Sequence, residues 1–141
     1  KLPAMPEEEE ILDDSQIKAR NIYVVLVNAK DQLLVEEELM DISQLREGTK
    51  AFLDNWGKDQ NLSDNPQKAI VSLQNDRGTS YEMYISVQNE LSAAYRELRD
   101  REAQKKFGVK YAELKGDNKK EIRKMFPEKI SEAEPKNVGG N

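Results

Sequence analysis

Ile22-Tyr-Val-Val-Leu-Val27, followed by Asn28-Ala-Lys-Asp31 and Gln32-Leu-Leu-Val35, is the stretch on which the fold turns. Six consecutive β-formers predict a strand. Ile22, Val24 and Leu26 point one way, and Tyr23, Val25 and Val27 the other. Both faces are apolar, so the strand is expected to be central or covered on both sides. Asn28–Asp31 has turn composition, and Gln32–Val35 resumes as a second strand, so the pair reads as a β-hairpin.

Beyond the hairpin, Glu36-Glu-Glu38 and Asp41 could together suggest a hard-cation site. Three consecutive glutamates cannot all point inward, however, and no glycine supplies the bend of a calcium loop, so they read as a solvated turn. Asp41 with Gln44 forms a capping-box pattern, and Met40 with Leu45 a hydrophobic staple. A first helix is therefore expected from Asp41 to about Asn55, with Ile42, Leu45, Phe52 and Leu53 inward. Residues 56–68 read as a loop. Its Trp56 is either an apolar anchor or an exposed partner contact. Ala69–Leu73 is a third strand, and Asn75-Asp-Arg-Gly78 a turn. Thr79 and Glu82 look like a second capping box. This turn is a generic anion-binding shape, but it lacks the glycine spacing and lysine of a P-loop. Tyr84, Val87, Leu91, Ala94 and Leu98 then recur in steps of three and four, which predicts a long helix over Ser80–Gln104, flanked by Tyr81 and Tyr95. A shorter helical pattern carries Phe107, Tyr111 and Leu114. Asp117 is placed to cap a last helix with Ile122, Met125 and Phe126, which Pro127 stops. Lys129–Glu134 reads as a closing edge strand. The expected class is α+β, a small mixed β-sheet with helices packed on one face.

Composition narrows function. The chain has 141 residues, no His and no Cys. That removes Ser–His and Cys–His catalysis, disulfides and cysteine-ligated zinc. No lysine or carboxylate pair sits in an apolar context, so no catalytic residue, cofactor site or metal site is predicted, and the chain reads as a binding domain rather than an enzyme. The formal charge is −5, but it is uneven. Residues 1–98 hold 10 basic and 19 acidic side chains, and residues 99–141 hold 12 and 8. The C-terminal cations alternate with acids and lack clustered aromatics. With a pI near 5.0, no nucleic-acid partner is expected. Residues 1–18, with Pro3, Pro6 and the Glu7–Glu10 run, are expected to be a flexible linker, and residues 137–141 a frayed tail. The chain opens on Lys1 rather than Met, so any signal or membrane segment before it would lie outside this sequence.

Several stretches together resemble the ExbD/TolR family. Asn21–Val35 is similar to the opening hairpin of its periplasmic domain, and Met40-Asp-Ile-Ser-Gln-Leu45 to the entry into its first helix. Lys68–Tyr81 is similar to its third strand and second-helix start, Ile130-Ser-Glu-Ala-Glu-Pro135 to its closing strand, and Lys1-Leu-Pro3 to the Leu-Pro after its membrane helix. The likeness covers residues 1–104 and 130–138. It divides the chain into a linker after a missing membrane helix, a domain over 19–136 with a helical insertion near 105–129, and the tail. The resemblance implies a homodimeric periplasmic domain of a single-pass inner-membrane protein in a Gram-negative bacterium. It implies an ExbB-like membrane subunit as partner through the missing helix, with that helix also carrying the proton-bearing aspartate, and a TonB-like protein as the recipient of work driven by proton-motive force. The alternative within the family is a TolR-like domain contacting peptidoglycan. Because a small open sheet must leave an edge, partner binding is expected at the backbone of Gln32, Leu33, Leu34 and Val35, or of Ile130, Ser131, Glu132, Ala133 and Glu134.

Overall fold

A computed structural model describes residues 18–133; the expectations for the linker before Lys18, for Glu134 and for the tail lie outside the described residues. Strand β1 (Ile22–Val27) occupies the middle of a five-stranded sheet. It runs antiparallel to β2 (Leu33–Val35) and parallel to β4 (Ile70–Asn75), with Ile22 opposite Ile70 and Val27 opposite Asn75. Strand β3 (Glu38–Met40) pairs antiparallel with β2, and β5 (Ile130–Glu132) parallel with β4. The order is β3-β2-β1-β4-β5. The parallel pairs need crossovers. The first contains helix α1 (Leu45–Leu53), and the second contains α2 (Tyr81–Phe107) and α3 (Gly116–Met125). The class is α+β, as the sequence predicts.

Strand β3 is absent from the sequence expectation, because the turn ahead of it carries none of the usual hairpin signals. Glu36 and Glu37 both adopt positive φ, 52° and 71°, the geometry that two-residue hairpin turns require and that Asn-Gly normally supplies. Glu36 is held there from both sides. Its backbone N–H donates to the Val24 carbonyl at 2.9 Å, and its carboxylate accepts the Val24 N–H at 2.7 Å. The side chain thus completes a ladder that β2, ending at Val35, cannot continue.

The core lies on one face of the sheet. Tyr23, Val25, Val27, Leu33, Val35, Val71 and Leu73 form one buried cluster with Leu45, Phe52 and Leu53 of α1 and Val87, Leu91, Tyr95 and Leu98 of α2. Tyr23 stacks on Phe52 with ring centroids 4.8 Å apart. Ile22, Val24 and Leu26, expected to be covered as fully as the other face, are only half-buried. The helices all serve the Tyr23 side.

The caps shift by a residue or a turn from their predicted places. Asp41 does cap, accepting from the Ser43 N–H at 2.9 Å, but the chain first makes a 3₁₀ turn over Ile42–Gln44 before α1 begins. Ser80, not Thr79, caps α2, accepting from the Met83 N–H at 3.1 Å. Helix α2 has 27 residues, about 40 Å at the standard rise, and ends three residues later than predicted. Gly108 at φ 75° terminates it, since a left-handed residue is easiest for glycine. Tyr95 is fully buried and Tyr81 is exposed, so only one of the two tyrosines flanking the stripe joins the core. Tyr111–Glu113 is a 3₁₀ turn rather than a helix, and Asp117 lies in the first turn of α3 without capping it.

The far end of α2, the 3₁₀ turn and α3 form a helical appendage with its own small core of Ala103, Leu114 and Ile122, joined by Phe107, Val109, Tyr111 and Met125. Phe126 pins the appendage to the main core, where it is fully buried. Trp56 packs edge-on to Phe126 at 6.1 Å, and its indole N–H donates to Asp54 at 2.8 Å. Trp56 is therefore a loop anchor that stays 45% exposed.

Candidate functional site

The sheet edges are β3 and β5. Gln32–Val35 is not an edge. Leu33, Leu34 and Val35 pair with β1 on one side and β3 on the other, and the Gln32 backbone is spent in the turn, its N–H and carbonyl both bonded to Asn28. The cause is β3: three residues past the glutamate turn occupy the flank that would otherwise stay open.

Strand β5 does present an edge. The Lys129 carbonyl accepts from the Val71 N–H at 2.9 Å, and the Ala133 N–H donates to the Leu73 carbonyl at 3.1 Å. Main-chain groups alternate sides along an extended strand. Ser131 therefore faces β4 with its backbone, while Ile130 and Glu132 turn theirs outward. Of the predicted site residues, the structure brings Ile130, Ser131, Glu132 and Ala133 together here, with the outward donors at Ile130 and Glu132; Glu134 lies outside the described residues.

A cleft of about 470 Å³ runs between this edge and α2, lined by Gln88, Asn89, Ser92, Glu128, Ile130 and Glu132. Glu132 is fixed from the helix: the Tyr84 hydroxyl donates to one of its carboxylate oxygens, and the Gln88 amide donates to the other at 2.9 Å. Burial, reinforced by the Glu132 carboxylate, pushes Tyr84 up to about 12, so it stays a donor throughout the physiological range. Sequence reasoning missed these helix groups. Their signal was present, since Gln88 and Ser92 follow Tyr84, the first residue of the predicted stripe, at steps of four.

Tyr95 sets the start of β5 from below. Its hydroxyl accepts the Lys129 N–H at 3.3 Å, and burial pushes its ionisation up to about 12. Tyr95→Phe removes that acceptor. The expected result is a loss of about 0.5–1.5 kcal/mol in denaturant unfolding, with faster amide exchange at Lys129 and the rest of β5 than in α1.

The other polar clusters bind the fold to itself. Arg46 of α1 bridges Glu90 at 2.9 Å and Glu97 at 2.8 Å on α2, and Lys50 reaches Glu97 at 2.7 Å. The Lys50 hydrogen bond outweighs burial and, with Arg46, holds the Glu97 carboxyl below its ordinary range. Around the β4–α2 turn, the Thr79 hydroxyl contacts the Val27 and Asn28 carbonyls at 3.0 and 3.1 Å. The Ser80 N–H donates to Asp31 at 2.8 Å. Those groups lock the turn onto the β1–β2 hairpin instead of facing an anion. Gly78 is needed for the approach, since a Cβ there would stand 2.9 Å from that of Ala29. Among the described residues no cluster of Asp and Glu is arranged to hold a metal ion.

The chain belongs to the family described as biopolymer transport protein ExbD/TolR, whose sequence pattern matches residues 1–99. A search of curated protein sequences finds no match. The family is one of membrane-anchored envelope proteins that act with other components of a transport system. Among the described residues no helix is long and apolar enough to cross a membrane. The match stops inside α2. It includes strands β1–β4 and α1, and leaves the appendage and β5 beyond it.

Proposed function

We propose that this chain is the periplasmic domain of an ExbD-like subunit in a proton-motive-force-driven inner-membrane motor that energises TonB-dependent outer-membrane transport. The reading is supported by one observation above others: a chain of the ExbD/TolR family carries an open strand edge at β5, beside a polar cleft. Such an edge gives affinity through main-chain hydrogen bonds and selectivity through the side chains flanking it. The domain works by binding rather than by turnover. In this account a membrane helix ahead of Lys1 joins an ExbB-like subunit, the subunit is a homodimer, and the β5 edge receives an extended segment of a TonB-like protein.

The test is a pair of binding measurements on the 141-residue chain. Calorimetric titration with the periplasmic fragment of a TonB-like protein is expected to show saturable binding, while sedimentation with purified cell-wall sacculi leaves the chain in the supernatant. Co-sedimentation with sacculi and no TonB-like binding would assign the domain to the TolR branch instead.

A further inference from the structure

We propose that the cleft between α2 and the 3₁₀ turn Tyr111–Glu113 binds a carboxylate borne on an apolar group, gripped by the Arg99 guanidinium and flanked by Arg96 and Lys110. The cleft encloses about 460 Å³, and Arg96, Arg99, Lys110, Tyr111 and Ala112 line it. A space of that size takes an organic acid or a peptide end rather than a lone ion. Exposed cations without a salt bridge are ordinary on this molecule; Lys30, Lys58, Lys68 and Arg77 are further examples among the described residues. Arg99 differs from them in being half-buried. Of the three half-buried arginines among the described residues, Arg20 and Arg46 spend their Nη groups on protein oxygens, Arg20 on Asp64 and the Asp59 carbonyl, Arg46 on Glu90 and Glu97. Arg99 gives only its Nε, to the Phe126 carbonyl at 2.9 Å, and neither of its Nη groups has a protein acceptor among the described residues.

The guanidinium is nevertheless held in place. Its central carbon stands 5.1 Å from the Tyr111 ring centroid, a cation–π contact. Tyr111 is fixed in turn, its backbone N–H donating to Asp100 at 2.9 Å. An arginine held by its Nε and by its face presents both Nη groups as a prepared fork, and that fork matches the two oxygens of a carboxylate. Little side-chain freedom is then left to lose on binding. Asp100 does not fill the fork, since it lies beyond ion-pair distance of every cation among the described residues, and so does Glu128 on the cleft wall. Ser92 and Glu128 also line the cleft beside β5, so they mark the side where the two clefts meet. Repulsion from Glu128 sets the ligand's carboxylate toward Lys110, and its apolar group lies against Tyr111, Ala112 and the arginine stems. Lys110, Tyr111 and Ala112 belong to the appendage, beyond the residues that the family pattern matches. The site is independent of which partner the β5 edge takes.

The test is a titration of the ¹⁵N-labelled 141-residue chain followed by NMR, read at the Arg99 Nε–H and at the backbone amides of Tyr111 and Ala112. The probes are acetyl-alanyl-phenylalanine with a free C-terminal carboxylate, the same dipeptide as its C-terminal amide, benzoate, and inorganic phosphate. The expected result is a saturable shift at those groups with the free-acid dipeptide, at a dissociation constant on the order of 1 mM, and binding of the amide weaker by about tenfold or more. Arg99→Lys, which keeps the charge but loses the fork, and Lys110→Gln should each weaken binding about tenfold. Lys68→Gln with Arg77→Gln, which removes two exposed cations elsewhere, should leave it unchanged. Lys110 is exposed, so its variant tests the site even where Arg99→Lys loses the fold. Benzoate binding as well as the dipeptide identifies a free organic acid as the ligand, and a preference of about tenfold for the dipeptide identifies a peptide end; both uphold the carboxylate site. No saturable shift at Arg99, equal responses to acid and amide, phosphate binding as tightly as the dipeptide, or an equal loss in the Lys68 and Arg77 double variant would overturn it.

Discussion

Leu91→Ala is expected to lower the stability of the domain by about 2–5 kcal/mol. Leu91 sits midway along α2, is fully buried, and belongs to the cluster joining the sheet to α1 and α2. Truncation removes its transfer free energy and leaves a space that the surrounding side chains cannot collapse to fill, because Val25, Val71 and Leu73 are held by sheet hydrogen bonds. A loss of that size is a large part of a domain's total stability. Denaturant unfolding measures it, with an unchanged slope and a lower midpoint as the expected outcome. A midpoint that barely moves would mean that the Val87–Leu98 stripe does not face this core.

Phe126→Ala carries a comparable cost, about 3–5 kcal/mol, and reaches a different part of the molecule. Phe126 is where the appendage enters the main core. The Arg99 guanidinium donates to its carbonyl at 2.9 Å, the Arg101 guanidinium stands 5.8 Å from its ring centroid, and Trp56 leans on its edge. Arg101 is itself anchored by Asp54 at 2.6 Å. Burial alone would raise Asp54, but Arg101 and the Trp56 N–H more than offset it and hold the carboxyl below its ordinary range. Because the chain has a single tryptophan, its fluorescence reports the surroundings of Trp56, which include the Phe126 ring. Phe126→Ala is expected to shift the emission to the red along with the fall in stability. Unchanged emission would contradict the Trp56–Phe126 contact. Ile122→Ala, confined to the smaller cluster, should leave the emission where it is.

Much of this fold was legible because burial writes periodicity into sequence. The alternation of Tyr23, Val25 and Val27 and the 3–4 steps of Val87, Leu91 and Leu98 are direct records of which side chains meet the core. What was not legible had no such record. Strand β3 has a single inward side chain, Met40, after a turn whose Glu36 is held by Val24 of β1, twelve residues upstream. Its omission then made β2 look like an edge. The α2 cap moved from Thr79 to Ser80 because the Thr79 hydroxyl is engaged by carbonyls of β1 and the turn after it, a tertiary demand that local pattern cannot reveal. Of the two segments expected to bind a partner, the β5 segment keeps an open edge because, among the described residues, no strand pairs with its outer side. The cleft beside it depends on Gln88 and Ser92 of α2 converging with Glu128 and Glu132 from the chain around β5, and only the four-residue spacing on α2 hinted at that.

Partner recognition through the β5 backbone is tested most directly by amide exchange on the chain with and without the periplasmic fragment of a TonB-like protein. Glu132→Pro and Glu132→Ala sharpen the measurement. The Glu132 N–H points outward, so proline removes a donor that the domain itself does not use and is tolerated as an edge residue. Alanine removes the same carboxylate but keeps the donor. The predicted result is slowed exchange at Ile130 and Glu132 on binding, loss of binding in a folded Glu132→Pro chain, and binding retained in Glu132→Ala. Equal binding by both variants, with no protection at either amide, would contradict it.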